Sequence, residues 1–198
     1  MIENTLILAS LSSYRAQLLK KAGLNFFIEG ASFDEREIEK TAETKDPKKL
    51  SCFLASAKAK NVSDRFPNAL VIGCDQVLDL EGQVFHKATN KEQAHQRLRD
   101  LSGKTHSLHS AVALFQNGQE IWSEAFSAHM TVRSLSSEFI EYYLARVGID
   151  VLNSVGVYQI EGEGIQLFEK IDGDFFTIIG LPLLPLLIKL RHLGVIDD

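Results

Sequence analysis

Leu6-Ile7-Leu8-Ala9-Ser10-Leu11-Ser12-Ser13-Tyr14-Arg15 is the stretch that decides the fold. Thr5 to Ala9 is an apolar run of the kind buried in a sheet. Serines at 10, 12 and 13 then supply capping hydroxyls, and Ala16, Leu18, Leu19 and Ala22 recur at amphipathic spacing until Gly23 stops the helix. A buried strand turning directly into a helix is the repeating unit of an α/β protein. The junction is also a candidate anion site, because a helix N-terminus presents free N–H groups and the positive end of its dipole. Serine hydroxyls can donate to phosphate oxygens, and Arg15 can grip one through a bidentate fork. A serine-capped helix beside a solvated arginine explains the same residues, since Ser is an ordinary N-cap.

Outward from this junction the interleaving continues. Phe26 to Glu29 reads as a second strand, and Phe33 to Asp46, charged and poor in large apolar residues, as a mobile loop. Pro47 opens a long helix to about Phe66. Ala69 to Cys74 is a buried strand ending at Asp75. Glu81-Gly82 reads as a hairpin turn into Val84 and Phe85, and Asn117-Gly118 as the turn of a long hairpin over Ser107–Phe115 and Ile121–Val132. Helices are expected over Lys91–Leu101 and from Ser136 to about Val147. Short strands are expected near Val157–Ile160, Gln166–Ile171 and Phe175–Ile178, with a last helix opened by Pro182. The pattern predicts an α/β chain with a mixed sheet.

Composition narrows the function. A chain of 198 residues, 45% hydrophobic and 24% charged, has the balance of a soluble globule able to bury its own core. A net charge of −5 argues against coating nucleic acid but not against a small anionic substrate, which needs only a local cluster of cations. The richest apolar run, Ile178 to Leu190, is interrupted by Pro182 and Pro185 and is too short to span a bilayer, so no membrane partner is expected. Cys52 and Cys74 show no CxxC spacing, and Met1-Ile2-Glu3-Asn4 lacks the basic stretch of a signal peptide, so the expected location is the cytoplasm.

Further positions carry chemistry. Asp75, closing Val71-Ile72-Gly73-Cys74-Asp75-Gln76, could bind a metal or accept a proton from water, or simply cap a turn. Lys87 could neutralise a phosphate or lie on the surface. Lys58 and Lys60 lie two apart on a helix, so only one can easily reach a shared cleft. In Tyr158-Gln159-Ile160-Glu161-Gly162-Glu163-Gly164 the glycines allow close approach of a ligand, and a bulge or turn explains them equally well. No Walker loop, Rossmann fingerprint or HExxH is present.

Taken together, these pieces resemble the Maf family of nucleotide pyrophosphatases almost end to end. Leu6 to Arg15 is similar to that family's LILASxSPxR opening, Asp34-Glu35 to its acidic pair, Ala57-Lys58-Ala59 to its QKA motif and Ile72-Gly73-Cys74-Asp75 to its IGAD strand. Phe85-His86-Lys87-Ala88 resembles the GKP loop, Leu101 to Ser107 the LSGxxHxV segment, and Ile171-Asp172-Gly173-Asp174 and Gly180-Leu181-Pro182-Leu183 the closing motifs. Ser13 and Ala88 replace two of the family's prolines, which loosens loops but removes no reactive group.

The resemblance implies a single Maf-like domain over residues 1–198. It implies an elongated two-lobed fold akin to inosine triphosphate pyrophosphatases, with a mixed central sheet and a cleft between lobes. The implied reaction converts a nucleoside triphosphate and water into a monophosphate and pyrophosphate, with a divalent metal, Mg²⁺ or Mn²⁺. Carried over, Asp75 is the base that activates water, Glu35 and Asp75 hold the metal, and Ser10, Ser12, Arg15, Lys58 and Lys87 bind or neutralise the triphosphate. Tyr14, Gln76 and Glu161 are similar to the trio of the branch acting on 7-methyl-GTP. An aromatic ring can stack on the cationic methylated guanine, and a carboxylate can accept from its N1–H and amino group. Tyr14 as a packing residue and Glu161 as a solvated turn residue fit the same sequence, and another triphosphate fits the same pattern. The family also allows a homodimer. The alternative function is a nucleotide-binding regulator of cell division with little turnover, against which the retained Asp75 and Lys87 count.

Overall fold

Strand β1 (Leu6–Ala9) buries all four of its residues, and its pleat sends them to two different cores. Leu6 and Leu8 join Leu19, Ile72, Cys74, Leu181, Leu186 and Leu190, whereas Ile7 and Ala9 join Ala55, Ala59, Val62, Val71, Ala111 and Ala113. A continuous apolar run is therefore the signature of a strand covered on both faces. The computed structural model describes residues 5–197. Met1-Ile2-Glu3-Asn4, read above for a leader, lies outside them.

The chain resolves into two compact units. The first comprises Met1–Gln76, His109–Phe126 and Asp174–Asp198, the second Val77–Leu108 and Ser127–Gly173. In the first, β1 runs parallel to both β2 (Phe27–Ile28) and β3 (Leu70–Leu80). Helices α1 (Ser13–Lys21) and α3 (Pro47–Arg65) follow β1 and precede β3, and α6 (Phe175–Ile179) and α7 (Leu183–His192) close the chain. In the second, β4 (Gln83–Phe85) pairs antiparallel with β3, and β7 (Phe168–Asp172) with β6 (Gln119–Val132). Helices α4 (Lys91–Leu101) and α5 (Ser137–Val147) complete it. The strand order is β2-β1-β3-β5-β6-β7, where β5 is Thr105–Gln116 and β4 pairs with β3 off this path. Parallel and antiparallel pairs together make the sheet mixed, as expected. No helix among the described residues is long and apolar enough to cross a membrane.

Local sequence accounts for the boundaries. Asp46 accepts the N–H groups of Lys48 and Lys49 and Pro47 occupies the first turn, which starts α3. Asn117 and Gly118, with φ of 52° and 70°, make the tight turn between β5 and β6.

Four expectations need correction. The segment from Phe33 to Asp46 is not all loop: α2 (Glu35–Lys40) forms within it, capped by Asp34 and supported by the Lys40–Glu37 pair. It buries no residue, so it leaves no apolar periodicity to read. Asp75 does not end its strand, because β3 runs on to Leu80. Finally, no strand forms over Val157–Ile160, and Phe175–Ile179 is helical because Asp174 caps Thr177 N–H.

The second unit holds a buried polar pair. His106 Nε2 meets Tyr158 Oη at 2.6 Å, and the Phe168 ring packs edge-on against Tyr158 with centroids 4.8 Å apart. Burial, aided by the Arg97 charge, pushes the His106 pKa from 6.5 down to about 4. An unfolded chain takes up this proton below about pH 6.5 and the folded chain does not, so acid favours unfolding. Stability should therefore fall as the pH drops from about 6.5 toward 4, by about 3 kcal/mol from this residue. Urea unfolding at pH 7.5 and 4.5 checks it: His106→Gln should lose less stability over that interval than the wild type, and equal losses would remove the assignment.

Candidate active site

Alternation along β3 sorts its residues. Val71, Gly73 and Asp75 share the face that meets α3, and Ile72, Cys74 and Gln76 the opposite one. On the α3 face the packing is unusually close. A Cβ built on Gly73 would stand 2.1 Å from the Ala55 carbonyl oxygen and 2.7 Å from Ala59 Cβ. Glycine on the strand against alanines on the helix brings the two backbones together. This approach lets Lys58, between those alanines, reach Asp75.

Lys58 Nζ lies 2.7 Å from Asp75 Oδ1 and 2.9 Å from Glu35 Oε2. The Lys58 and Asp75 side chains are nearly sealed, at 7% and 9% exposure, whereas Glu35, in the first turn of α2, is 59% exposed. A buried ammonium thus sits between one buried and one solvent-facing carboxylate. Lys60 turns away and pairs with Asp64 at 2.8 Å, which resolves which of the two lysines reaches the shared site.

On the other side of β1 and β3 lies a second network. Arg15 donates from Nε to Gly180 O at 2.8 Å, and from Nη1 to Cys74 O at 2.8 Å and Ser10 Oγ at 3.2 Å. Two of its three nitrogens, Nε and Nη1, are committed to the protein, and Nη2 makes none of these contacts. Ser12 Oγ accepts Arg15 N–H as the α1 cap, and Ser10 Oγ accepts Ser12 N–H at 3.3 Å as well as Arg15. With its oxygen so engaged, the hydroxyl proton of Ser10 is the group it can offer an anion. Tyr14 is half-buried in the first turn of α1.

Gln76 Nε2 contacts Ser110 Oγ at 2.9 Å, Thr177 O at 3.1 Å and Ile178 O at 2.9 Å. Its donors hold α6, and its face of β3 is not that of Asp75. Gly180 ends α6 with φ of 101°, so its carbonyl faces Arg15 from a conformation that glycine adopts without strain. Ser110, Thr177 and Gly180 were missed as site residues. Gly180 did carry a signal, since it stands in a quoted motif, whereas Ser110 is one hydroxyl in an apolar strand. Cys74, fully buried, has its thiol pushed up to about 11 and is inert.

Lys87 and Glu161 belong to the second unit. Lys87 is exposed just past β4, and Glu161 is exposed in the turn before a short 3₁₀ stretch, Glu163–Leu167. A Cβ on Gly164 would lie 2.5 Å from Gln159 O, so glycine there lets the chain fold back on itself.

Among the described residues no group of three or more His, Cys, Asp or Glu side chains is placed to hold a metal. Glu35 and Asp75 converge on one ammonium, and two carboxylates are the oxygen donor set that hard divalent cations accept alongside water and phosphate. The residues present therefore fit part of the shell of such an ion, with water or phosphate oxygens to complete it.

Residues 5–193 match the family described as Maf-like protein. The chain belongs to the Maf family. A protein of Bartonella henselae named 7-methyl-GTP pyrophosphatase is 84% identical over 197 residues, covering all of both chains. The Rhizobium meliloti protein of the same name is 52% identical, covering 97% of this chain and 98% of its own. In three dimensions the chain is similar to a nucleoside-triphosphatase / dITP/XTP pyrophosphatase from Mycobacterium abscessus, 13% identical, covering 96% of this chain and 95% of that one, with a TM-score of 0.40.

Proposed function

We propose that this Maf protein hydrolyses 7-methyl-GTP to 7-methyl-GMP and pyrophosphate, with Asp75 as the base. The observation that carries the reading is the buried Asp75–Lys58 pair closed by Glu35, at 2.7 and 2.9 Å, in a chain whose full-length relative at 84% identity bears that activity's name. Water attacks the α-phosphorus, its proton passes to Asp75, and the bond to the bridging oxygen breaks to release pyrophosphate. Little covalent work falls to the protein, so positioning and charge dominate. Lys58 holds Asp75 Oδ1 in place, so Oδ2 is the oxygen that addresses the water. Ser10, Ser12 and the N–H groups opening α1 receive phosphate oxygens, with Arg15 Nη2 and Lys87 adding positive charge. No acidic residue occupies the first turn of α1 to oppose an anion.

Glu35 and Asp75 would hold a divalent metal, Mg²⁺ or Mn²⁺. When bound it offsets the charge developing on the phosphate oxygens. Tyr14 stacks on the cationic purine, a contact of roughly 0.5–2 kcal/mol, and Glu161 accepts from its N1–H and amino group. A cytoplasmic site of action suits these roles. Gln76 serves the base pocket indirectly, by holding α6.

The test is a screen of ordinary and modified triphosphates, including 7-methyl-GTP, reading pyrophosphate with and without chelator. The expected result is metal-dependent release that is fastest with 7-methyl-GTP. Equal rates for all purines would remove the base assignment, and absence of turnover with every triphosphate would remove the enzyme reading.

A further inference from the structure

One guanidinium in the second unit touches both loops that the proposed reaction draws from that unit. Arg97 of α4 donates from Nη2 to His86 O at 2.8 Å and from Nη1 to Val155 O. Its guanidinium lies over the Phe85 ring, 4.4 Å from the centroid. His86 immediately precedes Lys87, and Val155 opens the segment that leads to Glu161. Neither partner is a side chain, so what Arg97 fixes is the course of two backbones.

The second loop needs fixing. Val157 is buried with φ of 61°, a conformation β-branched residues rarely adopt. Such a geometry persists only where its surroundings over-determine it. Here Tyr143 Oη donates to Val157 O at 3.2 Å, and His106 meets Tyr158 Oη at 2.6 Å. These two contacts hold the loop to α5 and β5, while the Arg97 fork joins it to the loop of Lys87.

We propose that Arg97 is a positioning residue that sets Lys87 and Glu161 relative to each other, so that the phosphate and base ends of a nucleotide are gripped together. The proposal rests on the nucleotide reading above. A guanidinium can do this because its nitrogens diverge from a rigid plane, and a lysine ammonium offers one point instead of two.

The experiment uses the full-length chain as wild type, Arg97→Lys and Arg97→Met, with 7-methyl-GTP and GTP as substrates. Arg97→Lys should raise KM for 7-methyl-GTP on the order of tenfold, lower its preference over GTP and leave kcat within about threefold. A merely structural role would instead reduce the active fraction, lowering apparent kcat with KM unchanged, and that result overturns the proposal. So does a variant with wild-type KM and preference. A second measurement needs no variant: hydrogen exchange of the wild type with and without inorganic pyrophosphate. Slowing of amides 156–162 together with 85–88 supports the coupling, and slowing confined to 85–88 overturns it. A wild type that cleaves no triphosphate defeats the substrate reading, while the exchange result still decides the coupling.

Discussion

Asp75→Asn is expected to lower kcat by on the order of 10²–10⁴ while leaving KM within a few-fold. Asparagine is nearly isosteric, and its side-chain oxygen can still accept from Lys58, which lies 2.7 Å from Asp75 Oδ1. Glu35, 2.9 Å from the same ammonium, keeps the buried positive charge paired. The fold should therefore survive with a melting temperature close to wild type. What disappears is the group able to take a proton from water, which an amide cannot do. Asp75→Ala separates the two roles. It removes the base and also the buried oxygen that asparagine keeps, leaving the 7% exposed Lys58 side chain with Glu35 but without that hydrogen bond, a loss of about 1.5–3 kcal/mol. Turnover should fall by at least this factor in both variants, and stability should fall further in the alanine one. Pyrophosphate release at saturating and limiting substrate, with a thermal melt of each variant, checks this. Wild-type kcat in Asp75→Asn would end the proposed role.

Much of the fold was legible because burial leaves a pattern. Leu6-Ile7-Leu8-Ala9 feeds two cores and reads as a continuous apolar run, and the helix over Lys91–Leu101 keeps Ala94, Leu98 and Leu101 inward at helical spacing. Turn chemistry was equally plain at Glu81-Gly82 and Asn117-Gly118, each with positive φ at both residues. What escaped is held by polar contacts. Helix α2 buries nothing and depends on the Asp34 cap, and the Val155–Tyr158 segment is shaped by carbonyl contacts to Arg97 and Tyr143. Periodicity cannot report such forces.

The same division runs through the candidate site. Lys58 and Glu35 could be chosen from motifs, and the structure adds that both carboxylates share one ammonium. Arg15 and Gln76 were read as substrate contacts. The structure shows that both also donate to main-chain carbonyls of Cys74, Thr177, Ile178 and Gly180, most of them far away in sequence. A motif shows that a residue type recurs at a place; which of its hydrogen bonds remain for a ligand is decided by tertiary neighbours. The closing motifs acquire a reason in this way. Asp174 caps α6, and Gly180 ends it so that its carbonyl meets the Arg15 guanidinium.

Gly73→Ala should be among the most damaging single substitutions in the chain, although it adds one methyl group. That carbon would stand 2.1 Å from Ala55 O, 2.7 Å from Ala59 Cβ and 2.9 Å from Ala59 N. The first and last of these are main-chain atoms of α3, so no rotamer change makes room. Strand β3 cannot retreat either, because β1 and β5 flank it on both sides. The helix must lift, at a cost at or above the upper end of the usual 1–3 kcal/mol for overpacking, and about 3 kcal/mol would lower the melting temperature by roughly 6–12 °C. Lys58 sits on the same turn as Ala55 and Ala59, so lifting α3 draws the ammonium from Asp75. Stability and turnover should therefore fall together. Adding Ala59→Gly in the same chain should rescue neither, because the nearest obstacle is the Ala55 carbonyl oxygen rather than a side chain. Thermal melts and pyrophosphate release for the single and double variants test this. A Gly73→Ala protein with wild-type melting and turnover would show that close packing of strand on helix is not what seats Lys58.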